Sequence, residues 1–120
     1  MADRLKVLFV CSKNQWRSPT AEAIYRDDAR VSVRSRGTSN AAVRTIREND
    51  LMWADLVLVM EQKHRSRLLA NFPDLTKFLT IHVLDIPDDY GYMDEELVQL
   101  LRIAADPIID DFQTQSHKEP

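Results

Sequence analysis

One segment near the start of the chain carries residues whose types and spacing suit phosphate chemistry. The single cysteine, Cys11, is followed six, seven and eight positions later by Arg17, Ser18 and Pro19. A cysteine thiolate is a strong nucleophile, and a planar guanidinium can hold two phosphate oxygens at once, which a lysine cannot. The spacing therefore predicts a short loop in which a nucleophile and an anion clamp face the same bound group.

The residues around this loop are the candidate substrate-binding residues. They are Ser12, Lys13, Asn14, Gln15, Trp16 and Ser18. A loop between a strand and a helix start points backbone N–H groups inward beside the positive end of the helix dipole, and a cysteine there is held as the thiolate. Asn14 suits a position with positive φ, and the Ser18 hydroxyl can donate to the sulfur. Trp16 is weighed equally between stacking on a substrate and packing against the protein.

An alternative interpretation makes Cys11 a small buried apolar residue and Arg17 a surface charge, as is usual for free cysteines. Given a cysteine, chance placement of Arg, Ser and Pro at these three positions has a probability of about 2 in 10,000. The chemical interpretation is therefore preferred.

Length and composition predict one globular domain. The chain has 120 residues, of which 44% are hydrophobic, and the domain is expected to span residues 1–112, with 113–120 as a flexible C-terminal tail. One cysteine cannot form an internal disulfide, which favours a reducing compartment. The apolar run Val7–Val10 is too short for a signal or membrane segment. We therefore expect a cytoplasmic protein without membrane contact.

The net charge of −3 hides an asymmetry between the two halves of the chain. Residues 1–60 hold ten Lys/Arg against seven Asp/Glu, whereas residues 61–120 hold six against twelve. The basic first half favours an anionic ligand. Its excess is too small to predict nucleic-acid binding.

Apolar runs and helical patterns alternate along the chain. The four predicted strands are Leu5–Val10, Val31–Arg36, Asp55–Met60 and Ile81–Ile86, and their Val, Leu and Ile content is typical of strands buried on both faces. The first helix is expected to have Ser18 as its N-cap, and the last is expected to be capped by Asp94. The predicted fold class is α/β: a single three-layer domain with a four-stranded parallel sheet flanked by helices, and a phosphate-binding loop after the first strand.

Three carboxylates follow the fourth predicted strand. Ligands of parallel sheets bind just past the carboxyl ends of the strands, so Cys11 should meet Asp85, Asp88 and Asp89 at one edge. Asp85 ends the strand, where its side chain can point into the sheet layer. Asp88 follows Pro87 in the loop beyond the strand, from which a side chain can reach over the Cys11 loop.

The sequence resembles the low-molecular-weight protein tyrosine phosphatases. The signature of that family is Cys, five residues and Arg-Ser-Pro, which matches Cys11–Pro19, followed here by Ala-Glu. The resemblance continues through Ser35–Thr38 and Ala54–Met60 and reaches Asp88–Tyr90, where the family has Asp-Pro-Tyr. It covers most of the chain.

The resemblance implies a role for each matching residue. Cys11 would be the nucleophile, Arg17 the phosphate binder and Asp88 the general acid. Asn14 and Ser18 would support the loop and the thiolate.

The resemblance further implies that Tyr90 forms one wall of the cleft. Asp85 and Asp89 stay open as alternative general acids, with Asp85 preferred over Asp89.

Four departures from the family pattern affect the predicted site. Lys13 stands where the family usually has Gly, and Trp16 stands where it has a second cysteine that can protect the nucleophile as a disulfide. Asp89 replaces the Pro that follows the general acid. The chain is also shorter in the region after Gly37, where the family supplies part of the substrate wall, so substrate choice should differ.

The predicted function is hydrolysis of aryl phosphate monoesters through a cysteinyl-phosphate intermediate. The expected partner is a phosphotyrosine protein or a small aryl phosphate, and the chain is expected to be a monomer or weak homodimer. No cofactor is expected, and no metal, since the three histidines lack ligand spacing. The alternative is a phosphate or phosphotyrosine reader with weak catalysis. A thioredoxin-coupled arsenate reductase is nearly excluded, because it needs further cysteines.

Overall fold

A computed structural model describes residues 4–117 of the chain, in which four strands alternate with five helices. In chain order the elements are β1 (Leu5–Cys11), α1 (Arg17–Tyr25), β2 (Val31–Gly37), α2 (Glu48–Trp53), β3 (Leu56–Val59), α3 (Gln62–Asn71), α4 (Pro73–Thr76), β4 (Thr80–Val83) and α5 (Glu95–His117).

The strands form one parallel sheet in the order β2-β1-β3-β4. The predicted α/β class with a four-stranded parallel sheet is confirmed. The central strands carry continuous apolar runs because helices cover both of their faces, and Val7–Val10 and Leu56–Val59 are fully buried. The register sets Cys11, the last residue of β1, beside Gly37, the last residue of β2.

The fourth strand differs from its prediction. It ends at Val83 rather than Ile86, and its residues are exposed or half-buried because β4 lies at the edge of the sheet. Asp85 adopts a φ of 58°, a left-handed conformation that interrupts extended geometry. Asp85 therefore lies in the loop beyond the strand and is exposed, rather than pointing into the sheet layer.

Two apolar layers fix the helices on the sheet. On one face Phe9 stacks on Tyr25 of α1, with ring centroids 5.7 Å apart, and α5 buries Leu97 and Leu101 there. The other face packs against α2 and α3.

Asp94 caps α5 as predicted, because its Oδ1 accepts hydrogen bonds from the backbone N–H groups of Glu96 (2.9 Å) and Leu97 (3.3 Å).

The predicted N-cap of the first helix is wrong. Trp16 holds the cap position and makes no side-chain cap bond, while Ser18 lies inside the first turn. The Ser18 hydroxyl, which was expected to cap the helix, instead lies 2.9 Å from the sulfur of Cys11.

The C-terminal helix is longer than expected. It continues to His117, so residues 113–117 of the predicted tail are helical, and residues 118–120 lie outside the described part of the chain. The flexibility of this segment stays a prediction. Within residues 4–117, no helix combines the length and the apolar character needed to cross a membrane.

Gly37 sits where two loops approach each other closely. A Cβ on this residue would lie 2.5 Å from Ala42 Cβ and 2.5 Å from the carbonyl oxygen of Ser12. Its backbone donates to Arg44 O at 2.8 Å and accepts from the N–H of Ile46 at 2.9 Å. The loop after β2 can therefore pack on the Cys11 loop only because this side chain is absent.

We expect Gly37→Ala to lower the free energy of unfolding by about 1–3 kcal/mol, because a backbone carbonyl cannot move aside cheaply. Urea unfolding measures the change. Gly91→Ala is the matched control, since a Cβ there meets no atom within 4 Å and should alter stability by less than about 0.5 kcal/mol. Equal stability of the two variants would contradict the prediction.

Candidate active site

A small cavity of about 30 Å³ lies at the carboxyl end of β1, where the chain turns into α1. The residues that line it are Cys11, Ser12, Lys13, Gln15, Trp16, Arg17 and Asp88. The fold thus brings the predicted loop residues together with one of the three predicted carboxylates. The cavity can hold one small group and leaves anything larger outside.

The backbone of the loop presents hydrogen-bond donors without acceptors. Within residues 4–117, the N–H groups of residues 12–16 make no hydrogen bond. Unpaired N–H groups are costly unless a ligand or water takes them. The nine-residue helix α1 begins immediately after the loop, so its dipole adds positive potential at the same point. Donors and dipole together make an anion site.

A chain of side-chain hydrogen bonds supports the loop from behind. Asn14 is buried and has a φ of 55°, which confirms the predicted left-handed position. Its Nδ2 donates to the Oγ atoms of Ser18 at 2.9 Å and Ser35 at 3.1 Å. The Ser35 hydroxyl donates to Glu22 Oε1 at 2.6 Å. Sequence analysis assigned no role to Ser35 or Glu22.

The donor and acceptor of each hydrogen bond in this series follow from the carboxylate of Glu22, where the series ends. A carboxylate only accepts, so Ser35 must donate to Glu22 and accept from Asn14. Asn14 in turn donates to Ser18, whose own hydrogen can go to the Cys11 sulfur at 2.9 Å or to the carbonyl oxygen of Arg36 at 3.4 Å, and the shorter contact favours sulfur. A hydroxyl that donates to sulfur orients the nucleophile and stabilises negative charge on it.

Arg17 is buried and its orientation is set by two acceptors. Its Nη1 donates to Glu61 Oε1 at 2.5 Å and to the carbonyl oxygen of Ile86 at 2.8 Å. The hydrogen bond from Arg17 holds the pKa of Glu61 below its usual range. The Nε atom, 3.6 Å from Asp88 Oδ1, lies on another edge of the guanidinium. Within residues 4–117 neither Nε nor Nη2 makes a hydrogen bond, so this edge, which faces Asp88, can still donate to a ligand in the cavity.

His64 joins the loop to the start of α3. Its Nδ1 accepts from the backbone N–H of Glu61 at 3.0 Å, so the neutral ring carries its proton on Nε2. That nitrogen is 2.8 Å from Ser12 Oγ and donates to it. Burial, and then the charge of Arg17, lower the pKa of His64 to about 4. The imidazole is therefore neutral at neutral pH.

Sequence analysis missed Glu61 and His64. The contact of His64 with Ser12 joins residues 52 apart, and a lone histidine has no motif spacing. One signal was available: Glu61 lies just after the buried strand β3 and His64 lies in the first turn of the helix that follows, at the sheet edge where ligands were expected.

The three candidate carboxylates differ in position. Asp88 lines the small cavity, and its side chain is 55% exposed. Asp85 lines a neighbouring cavity of about 360 Å³ that also includes Glu61 and Pro87. Asp89 is exposed and lines neither cavity. Among residues 4–117, no group of three or more His, Cys, Asp or Glu could hold a metal ion.

Tyr90 is not among the residues that line the cavity. It packs against the apolar core, and its hydroxyl donates to Glu96 Oε2 at 2.5 Å. That hydrogen bond raises the pKa of Tyr90 to about 12. Its predicted role as a cleft wall stays a prediction.

Comparisons with known proteins extend over nearly the whole chain, although no family model matches it. It is 28% identical to the low-molecular-weight protein-tyrosine-phosphatase PtpB of Staphylococcus aureus, with 87% of this chain and 99% of that protein covered. A solved low-molecular-weight phosphotyrosine phosphatase from Vibrio cholerae O395 is similar at a TM-score of 0.73 and 25% identity, covering 92% and 98% of the two chains. The fold also resembles that of the YwlE arginine phosphatase from Geobacillus stearothermophilus, with a TM-score of 0.72, 22% identity and 97% of each chain covered.

We expect stability to fall as the pH is lowered from about 6.5 towards 4.5, by up to about 1.4 kcal/mol per pH unit. The unfolded chain protonates His64 at its ordinary pKa of 6.5, whereas the folded chain does not until about pH 4. Glu61 contributes to this slope only below its ordinary value of 4.5.

Urea unfolding at several pH values measures the slope. His64→Gln should lose it whatever its effect on absolute stability, while His82→Gln, which changes an exposed histidine, should keep it. A slope that persists in His64→Gln would show that another group is responsible.

Proposed function

Because the chain belongs to the low-molecular-weight protein tyrosine phosphatase family, we propose that it hydrolyses phosphotyrosine in proteins through a cysteinyl-phosphate intermediate. The observation that carries this proposal is the small cavity in which the sulfur of Cys11, unpaired backbone N–H groups and the buried Arg17 meet. Such a cavity accepts a tetrahedral anion and presents a nucleophile to it.

In the first step, the Cys11 thiolate attacks phosphorus in line with the leaving oxygen. A sulfur–phosphorus bond forms and the phosphorus–oxygen bond to the tyrosine ring breaks. The loop N–H groups and the Nε edge of Arg17 bind the equatorial oxygens, whose charge they match without a metal ion. Glu61 supports this step indirectly, because it engages Nη1 and so fixes the plane of the guanidinium.

Asp88 acts as the general acid of this step and gives its proton to the leaving oxygen. Its position in the cavity lining supports the assignment over Asp85 and Asp89, which do not line that cavity. In the second step, Asp88 takes a proton from water as the water attacks phosphorus. The sulfur–phosphorus bond breaks, inorganic phosphate leaves and the thiolate returns.

The rim of the cavity supports an aromatic leaving group. The cavity is small, about 30 Å³, so the part of a substrate beyond its phosphate group lies against exposed side chains. Trp16 lines the cavity and is 45% exposed, so its ring offers a stacking surface for a phenyl group. Phosphoarginine is the competing substrate class, because the fold resembles that of an arginine phosphatase.

The test is turnover of para-nitrophenyl phosphate in EDTA by the wild type and Cys11→Ser. We expect the substitution to reduce turnover by more than about a thousandfold, because serine lacks a thiolate. Two peptides of one sequence, carrying phosphotyrosine or phosphoarginine, then define the substrate class. Wild-type protein that binds phosphate but turns over none of these substrates would be a reader instead of an enzyme.

The general acid is tested by Asp88→Asn, with Asp85→Asn and Asp89→Asn as matched controls. Asp88→Asn should slow hydrolysis of phenyl phosphate by about 10²- to 10⁴-fold, because phenolate is a poor leaving group. The loss should be much smaller for para-nitrophenyl phosphate, whose leaving group departs without a proton. If leaving-group dependence appears in a control variant, that residue is the acid.

A further inference from the structure

A second cavity, of about 700 Å³, opens between strand β2, the loop that follows it and the start of α2. Its lining includes four arginines and a single acidic residue, which gives a formal charge of +3. The arginines are Arg34, Arg36, Arg44 and Arg47, and the acidic residue is Asp50. We call this cavity the arginine pocket.

Asp50 orders two of these arginines without neutralising the pocket. Its side chain is only 4% exposed, and its Oδ1 lies 3.2 Å from Arg34 Nη1 and 3.1 Å from Arg36 Nε. The Arg34 guanidinium also stacks on Trp53, 4.3 Å from the ring centroid. Each guanidinium has five N–H donors, so most of them stay available for a ligand. The two side chains are therefore preorganised to bind an anion.

The other two arginines extend the positive surface. Arg44 pairs with Glu22 at 3.0 Å and is otherwise exposed. Arg47 is exposed, and among residues 4–117 it has no carboxylate within 4.0 Å. Arg47 is therefore a cation that the fold itself does not pair.

A backbone hydrogen bond connects the lining of the arginine pocket with that of the small cavity that contains Cys11. Val43 lines the pocket, and its backbone N–H donates at 3.0 Å to the carbonyl oxygen of Lys13, which lines the small cavity. A peptide whose phosphorylated side chain enters the small cavity can extend past this contact towards the pocket. Residues a few positions from the phosphorylated one can then reach the pocket, since extended chain spans about 3.3 Å per residue.

We propose that the arginine pocket binds Asp and Glu residues that flank the phosphorylated residue of a protein substrate. This inference rests on the proposed function and names the class of protein substrate. Carboxylates match the planar donor fork of arginine, and a net charge of +3 favours their approach.

The experiment compares two peptides that carry the same phosphorylated residue and differ only in flanking residues, Glu in one and Gln in the other. For the wild type, kcat/KM should be about three- to tenfold higher for the Glu peptide, mainly through KM, and the ratio should shrink in about 0.5 M salt. In Arg47→Gln the ratio should fall by about two- to fivefold. The ratio is insensitive to a general loss of activity, because both peptides share the chemical step.

Arg67→Gln is the matched control, because it removes an exposed arginine of α3 that lines neither cavity and should keep the wild-type ratio. Equal kcat/KM values for the two peptides in the wild type would overturn the proposal, as would an equal fall of the ratio in Arg67→Gln. A dimer that Arg47→Gln dissociates would overturn it too, since a second copy would then fill the pocket.

Failure of the proposed function gives a different result. If no substrate is hydrolysed, the two peptides are compared by fluorescence anisotropy on Cys11→Ser, where tighter binding of the Glu peptide that depends on Arg47 still supports the pocket. Equal binding of both peptides would reject it.

Discussion

To bind an anion, the loop of residues 12–16 must point its backbone N–H groups inward. Its carbonyl oxygens then point outward and need hydrogen-bond donors from another part of the chain, and this requirement determines the rest of the site. The loop after β2 supplies those donors: Thr38 donates to Cys11 O at 2.9 Å, Ser39 to Ser12 O at 3.0 Å and Val43 to Lys13 O at 3.0 Å. Inward donors and outward acceptors are thus separated, which keeps the donors unpaired and able to bind an anion. The approach of the two loops depends on the missing side chain of Gly37.

A buried guanidinium imposes a second constraint. Arg17 is 2% exposed, and an unpaired charge at that depth would cost several kcal/mol. Glu61 and the carbonyl of Ile86 compensate it at Nη1, and Asp88 lies 3.6 Å from Nε. These groups lower the desolvation cost. Within residues 4–117 neither Nε nor Nη2 makes a hydrogen bond, so that edge of the guanidinium can still donate to an anion. His64 completes the arrangement as a neutral ring, which links Ser12 to the backbone of Glu61 without adding charge.

The fold was predictable because buried parallel strands carry continuous apolar runs, and the loop was predictable because Cys11 and Arg17 belong to one short segment. The partners of that segment were not. His64 reaches the loop only because β3 lies next to β1, and strand order depends on packing across the whole sheet. Ser18 was misassigned for a related reason. Serine is common at helix caps, but here its hydroxyl contacts the Cys11 sulfur, an acceptor that comes within reach only in the folded loop. The left-handed turn at Asp85 likewise ended β4 earlier than its apolar residues indicated.

Net charge understates how strongly this protein can attract an anion. Residues 1–60 carry an excess of only +3, yet six of their ten basic residues line the two cavities. Two of them, Lys13 and Arg17, line the small cavity, and the other four line the arginine pocket. Screening limits charge effects to about 8 Å at physiological salt, so the local arrangement outweighs the total. Within residues 4–117, Asp88 is the one acidic residue of the second half that lines either cavity, while Glu61 pairs with Arg17 from outside the linings.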